Sequence, residues 1–159
     1  MPHLDAAYDL ARWLSRSPAD ADDIVQDAML RAFRAFDSFR GENVKPWLLA
    51  IVRNCWRTRA GDTRRRGHVE LSVEPLVDGS PDPEAEATRA SDGRRLEACI
   101  ARLPDEFREV LILREMHDLS YREIAEATAA PIGTVMSRLA RARALLKTHW
   151  LAEESDDLR

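Results

Sequence analysis

Residues 119–139 read LSYREIAEATAAPIGTVMSRL, and this stretch decides the fold. Ser120 followed by Glu123 has the spacing of a capping box, in which a hydroxyl and a carboxylate satisfy free amides at a helix start. A short helix through Thr128 follows. Ala129-Ala130-Pro131 is a turn. Ile132, Val135, Leu139, Ala142 and Leu146 then recur at helical steps and give a long helix. Ile124 and Ala125 face Val135 and Leu139, so two helices joined by a short turn share one apolar contact. That is a helix-turn-helix pattern.

Working outward, the chain is helical on both sides. Pro104-Asp105 opens a helix with Phe107, Val110 and Leu111 inward, and Leu96, Cys99, Ile100 and Leu103 form a stripe before it. Residues 67–92 form a linker: Pro75, Gly79, Pro81 and Pro83 forbid a long helix, and acidic charge discourages collapse. Its tail, Glu84 to Arg89, can start the next helix. In the first half Leu4 to Ser15 is a helix with Leu10, Trp13 and Leu14 as core candidates, and Ser17-Pro18 breaks it. Asp20 can cap a second helix to about Asp37, with Val25, Ala28, Met29, Ala32, Phe33 and Phe36 at three- and four-residue steps. Pro46 suits the first turn of a third helix, which buries Trp47, Leu48, Ile51, Val52 and Cys55 and ends near Gly61. The expected fold is all-α: two small helical domains joined by a flexible acidic linker.

Composition narrows the function. Of 159 residues, 45% are hydrophobic, 33% charged and 6% aromatic, which suits solvated helices around a modest core. The net charge of -4 does not advertise a nucleic-acid binder, but its distribution is uneven: +3 over residues 1–66, -6 over 67–93 and -1 over 94–159. No apolar run can span a bilayer and no signal peptide opens the chain, so a cytoplasmic protein is expected. Cys55 and Cys99 fall on apolar stripes and read as small core residues. His3, His68, His117 and His149 have no ligand spacing, so no metal is expected, and no cofactor motif is present. No Ser/His/Asp, Cys/His or phosphate-loop constellation points to an enzyme.

Two basic faces stand out. The long helix after Pro131 shows Ser137, Arg138, Arg141 and Lys147 outward. Such a helix fits the DNA major groove, with its first amides and Thr134 against phosphate and Ser137 and Arg138 toward bases or backbone. A solvated helical hairpin has the same pattern. The third helix shows Asn54, Trp56, Arg57 and Arg59, followed by Arg64-Arg65-Arg66, a mixture suited to phosphate tracking and base stacking on opened strands. A solvated Arg-rich face with Trp56 half buried is the plainer reading.

Two sets of stretches, one in each half of the chain, carry a family resemblance. Asp20-Ala21-Asp22-Asp23-Ile24-Val25-Gln26-Asp27 through Phe33, with Phe39-Arg40-Gly41 and Pro46 to Asn54, resembles region two of bacterial extracytoplasmic-function (ECF) sigma factors, of the sigma-70 family. Leu103 to Arg108, Leu119 to Ala125 and Pro131 to Leu139 with Arg141-Ala142-Arg143 resemble region four. The resemblance implies a promoter-specificity subunit of RNA polymerase that initiates transcription, with region two at 1–66, a linker at 67–92, region four at 93–150 and an acidic tail at 151–159. It implies polymerase contacts to the beta-prime clamp helices at Asp22, Asp23, Gln26, Asp27 and Arg31, and a region-four contact to the beta flap. Minus-ten recognition and melting would fall to Phe39, Arg40, Gly41, Glu42, Asn43, Asn54, Trp56, Arg57 and Arg59. Minus-thirty-five recognition would fall to Thr134, Met136, Ser137, Arg138, Ala140 and Arg141. Core polymerase and promoter DNA are the implied partners; an anti-sigma factor is admitted, though no residue identifies one.

Three departures qualify the resemblance. Many relatives carry Lys or Arg at the place of Met136 and a bulkier residue at Ala140, so readout here should lean on apolar contact or DNA shape. Relatives also have more residues before the first helix, which points to a shortened helix or a late recorded start. The rivals are a sigma-like mimic that binds an anti-sigma factor and not DNA, and an ordinary helix-turn-helix repressor.

Overall fold

The computed structural model describes residues 3–66 and 83–158. The linker segment 67–82 and the side chains of Arg64, Arg65 and Arg66 lie outside the described residues. The chain folds as α1 (Leu4–Ser15), α2 (Pro18–Ala35), α3 (Val44–Arg66), α4 (Pro83–Ala101), α5 (Asp105–Glu115), α6 (Tyr121–Thr128) and α7 (Ile132–Asp157), with no strand among the described residues. The all-α expectation holds.

In the first half α1, α2 and α3 pack mutually around Leu10, Leu14, Ile24, Ala28, Leu48, Leu49 and Val52. Arg16 closes α1 in the left-handed region at φ 60°, its N–H donating to the Arg12 carbonyl at 2.9 Å. The cap of α2 is Ser17, not Asp20. Its Oγ accepts from the Asp20 N–H at 3.4 Å, and Pro18 fills the first turn, where its missing N–H would have had no partner anyway. The α2 rod stops at Ala35 and gives way to a 3₁₀ turn over Phe36–Ser38. Gly61 does not end α3, which continues to Arg66. A single glycine costs only about 1 kcal/mol relative to alanine in a helix and need not break one.

The second half confirms the turn chemistry. Ser120 Oγ accepts from the Glu123 N–H at 3.1 Å, and Glu123 Oε1 accepts from the Ser120 N–H at 2.9 Å. Ala129 takes the left-handed region at φ 52°. The Ala130 N–H reaches the Ala125 carbonyl at 3.0 Å and the Ala129 N–H the Glu126 carbonyl at 3.4 Å, which is a Schellman closure. Val135, Leu139 and Ala142 are buried in one cluster with Ile124. The helix α7 runs on to Asp157, so most of the expected tail is helical. It is clasped to α4: the Arg95 guanidinium lies 4.3 Å from the Trp150 ring centroid, and Arg95 Nη2 donates to the Trp150 carbonyl at 3.1 Å.

Nothing in the periodicity announces that the two halves close on each other. In the structure α3 packs on α6 and α1 on α5, and buried apolar residues of both halves form one cluster. Polar contacts cross the junction. Arg16 Nη1 donates to the Ala101 carbonyl at 3.1 Å, and Lys45 Nζ to the His117 carbonyl at 2.9 Å. Arg108 is buried, its Nη2 donating to the Leu14 carbonyl at 3.3 Å and to Asp105 Oδ1 at 2.8 Å. Burial lowers its pKa from the ordinary arginine value, against the pull of the Asp105 carboxylate. Cys55 and Cys99 are free and buried, as expected of core residues.

Candidate nucleic-acid interface

The start of α7 is an open helix end. Pro131 precedes it with no side-chain cap, its first turn holds no acidic residue, and Ile132 and Gly133 are exposed. Unpaired amides and the helix dipole make such an end attractive to anions. Met136, Ser137, Ala140 and Arg141 are exposed on the same helix, and Thr134 and Arg138 are half-buried. Ser137 Oγ donates to the Thr134 carbonyl at 3.0 Å and keeps its lone pairs for another donor. Arg138 and Arg141 make no hydrogen bond or ion pair among the described residues. Arg143, by contrast, is engaged by Glu115 at 2.7 Å. The structure therefore brings all six expected residues of this helix to one accessible end.

The second surface is built by α3 and the loop before it. Phe39 lies against Trp47 with centroids 4.8 Å apart, and Phe36 meets Trp47 edge-on at 6.3 Å. A Cβ at Gly41 would stand 2.9 Å from Phe39 Cε2, so only glycine leaves that ring in place. Arg40, Glu42 and Asn43 are exposed; Arg40 Nη1 donates to the Asp37 carbonyl at 3.0 Å, and Asn43 Oδ1 accepts from the Lys45 N–H at 3.3 Å. Asn54 is exposed and accepts from Arg53 Nη1 at 3.1 Å.

Three expected members of this face are otherwise engaged. Trp56 is not a stacking platform: it is only 4% exposed, because it sits one turn from Val52 on the stripe that enters the core. Arg57 donates from Nη2 to Glu109 Oε1 at 3.2 Å, on the other half of the chain. Arg59 pairs with Asp23 at 2.9 Å and Asp20 at 3.4 Å, tying the end of α3 to the start of α2.

Along α2, Asp22, Asp23, Gln26, Asp27 and Arg31 are all exposed, with Arg31 3.3 Å from Asp27. Phe33 and Phe36 are not core residues: they are 85% and 58% exposed. Phe33 projects away from the Ala28 side of the helix, and Phe36 has already left it for the 3₁₀ turn. With Leu30, 58% exposed, Phe33 extends the acidic stripe into an apolar one. Phe33 is a surface residue that its helical spacing had placed in the core.

Comparison with known proteins agrees with this anatomy. The Sigma-70 region 2 family matches residues 1–66, and Sigma-70 region 4 matches residues 93–146. An ECF RNA polymerase sigma factor SigE of Mycolicibacterium smegmatis is 32% identical over 98% of this chain, which spans 61% of that relative's length. The ECF RNA polymerase sigma-E factor of Haemophilus influenzae is 32% identical over 87% of this chain and 77% of its own length. Among solved structures, the sigma factor RpoE of Bartonella quintana in complex with the anti-sigma factor NepR superposes with a TM-score of 0.72 at 28% identity, covering 92% of this chain and 90% of that one. CnrH in complex with the cytosolic domain of CnrY gives 0.67 at 25% identity, covering 95% and 84%. Two matched regions in order, and relatives alike over most of their length, establish that this chain belongs to the ECF RNA polymerase sigma factors, the promoter-specificity subunits of transcription initiation.

Proposed function

We propose that this chain joins core RNA polymerase, brings it to particular promoters through the outer face of α7 and helps open the minus-ten element with α3 and the 39–43 loop. The observation that carries the reading is the uncapped start of α7 with Arg138 and Arg141 unpaired among the described residues. A cationic face beside an open helix end suits phosphate on either side of a groove. Thr134 and Ser137 supply hydroxyls there. Met136 and Ala140 supply apolar contact of the kind that reads a thymine methyl. The promoter preference therefore differs from that of relatives with a cation at Met136.

Melting requires a base to leave the stack, at a cost of a few kcal/mol. Asn54 offers donor and acceptor atoms to a base edge, and the Phe39–Trp47 pair held over Gly41 forms an aromatic wall at the start of the same helix, two turns before it. Arg40, Glu42 and Asn43 line the loop, and Arg57 and Arg59 hold the adjoining strand once their present partners release them. The outer stripe of α2, from Asp22, Asp23, Gln26 and Asp27 through Leu30, Arg31 and Phe33, docks on the beta-prime clamp helices, and the second half on the beta flap. Bond chemistry stays with the polymerase core.

An anti-sigma factor belongs to this reading, because a solved relative alike over most of its length is a complex with one. Work on polymerase at promoters also implies a cytoplasmic site of action; no described helix is long and apolar enough to cross a membrane. The test is run-off transcription from genomic fragments with core polymerase, with and without this chain. New transcripts that depend on the chain support the reading. An unchanged transcript set at saturating chain would overturn it.

A further inference from the structure

We propose that Arg53 and Arg57 form an anion fork for a backbone phosphate of the opened promoter strand, and that Glu109 fills this fork whenever the two halves are closed. The free chain is then held off single-stranded nucleic acid by its own carboxylate. The proposal rests on the reading of α3 as the minus-ten face.

The geometry is specific. Arg53 Nε donates to Glu109 Oε2 at 2.9 Å and Arg53 Nη2 to Oε1 at 3.1 Å, while Arg57 Nη2 donates to Oε1 at 3.2 Å. A planar guanidinium gripping two oxygens side by side suits carboxylate and phosphate alike. Residues four apart share one helix face, so Arg53 and Arg57 point the same way, with exposed Asn54 beside them. The Glu109 side chain is 0% exposed, and among the described residues every hydrogen-bonding partner of its carboxylate comes from α3, on the opposite half. A buried carboxylate without such partners is strongly disfavoured, so Glu109 couples closure of the halves to occupation of the fork. The two arginine side chains keep 13% and 34% of their exposure, enough to be rehydrated when the halves part. One carboxylate between two guanidiniums also leaves a positive charge over, which a phosphate chain can use.

The contact from Arg16 to the Ala101 carbonyl supports closure without touching the fork. It supplies an independent variant. The experiment measures binding of the full-length chain, without polymerase, to a dye-labelled single-stranded oligonucleotide, alongside the distance between dyes placed on α2 and α6. Glu109→Gln should raise affinity about tenfold, as expected when a binding-competent state passes from a minor to the main population, and lengthen the dye distance. Arg16→Ala should move both readings in the same direction. Adding Arg53→Ala and Arg57→Ala to either variant should abolish the gain. The proposal falls if folded Glu109→Gln and Arg16→Ala chains bind as the parent does, or if the gain survives loss of both arginines. Run-off transcription separates the two failures: a chain that initiates normally but shows neither effect loses only the fork, whereas a chain that never initiates loses the parent reading.

Discussion

Five residues separate Phe33 from Ala28, about 140° around a helix of 3.6 residues per turn. Counting apolar residues at three- and four-residue steps makes Phe33 look like a continuation of the Ala28–Ala32 stripe; the angle puts it on the far side. A phenyl ring 85% exposed beside Leu30 is poor use of apolar surface unless a partner covers it. Leu30→Ser with Phe33→Ser should therefore lower affinity for core polymerase about tenfold or more, as loss of a central aromatic anchor does, with an unchanged melting temperature. Unchanged affinity would remove the apolar stripe from the docking surface. Cys55 illustrates the opposite case, a residue whose place was legible. Burial raises its thiol from the ordinary 9.0 to about 11, the Arg31 charge opposing and the Asp27 carboxylate adding to the shift. A raised thiol pKa gives stability that is complete below pH 9.0 and is lost as pH climbs toward 11. At pH 8 a thiol reagent should modify Cys55 only after denaturant is added.

At the scale of elements, local signals were the readable ones. Ser120 with Glu123 announced α6, and the Ala129-Ala130-Pro131 turn delivered α7. Both signals act within a few residues, so no distant contact can mask them. Ala129 carries a Cβ into left-handed backbone, which favours glycine. Ala129→Gly should stabilise the chain by about 0.5–1 kcal/mol in urea titration, the balance of relieved strain and greater freedom when unfolded. Trp56 was less legible, because α3 carries charge on two sides and only packing reveals which stripe enters the core. The reading helix makes its own prediction. Arg138→Ala with Arg141→Ala should weaken promoter binding by the holoenzyme and flatten its logarithmic salt dependence by about two units, one for each phosphate no longer neutralised. A changed affinity with the same salt slope would mean that these arginines touch bases only.

For the whole molecule, what stayed hidden is the closure of one half on the other. Arg53, Arg57 and Glu109 look like surface charges in a linear reading, since fifty-odd residues and a linker separate them. Only the assembled fold brings the cations to the carboxylate. The shared apolar cluster predicts that both halves unfold together: tryptophan fluorescence and helical circular dichroism should give coincident thermal transitions. Arg108→Ala should lower that common transition, by about 2 kcal/mol or more, because buried carbonyls of both halves lose a charged donor. Two separated transitions in the parent chain would show that the halves are independent in solution.

Severing the chain between α3 and α4 to obtain convenient fragments carries a consequence of the buried Glu109. The downstream fragment would meet water with a bare carboxylate where the intact chain keeps it dry, and the upstream fragment would present Arg53 and Arg57 with nothing in their grip. Footprints or crystals obtained from such pieces would record surfaces that the unbroken polypeptide shows only after it has opened.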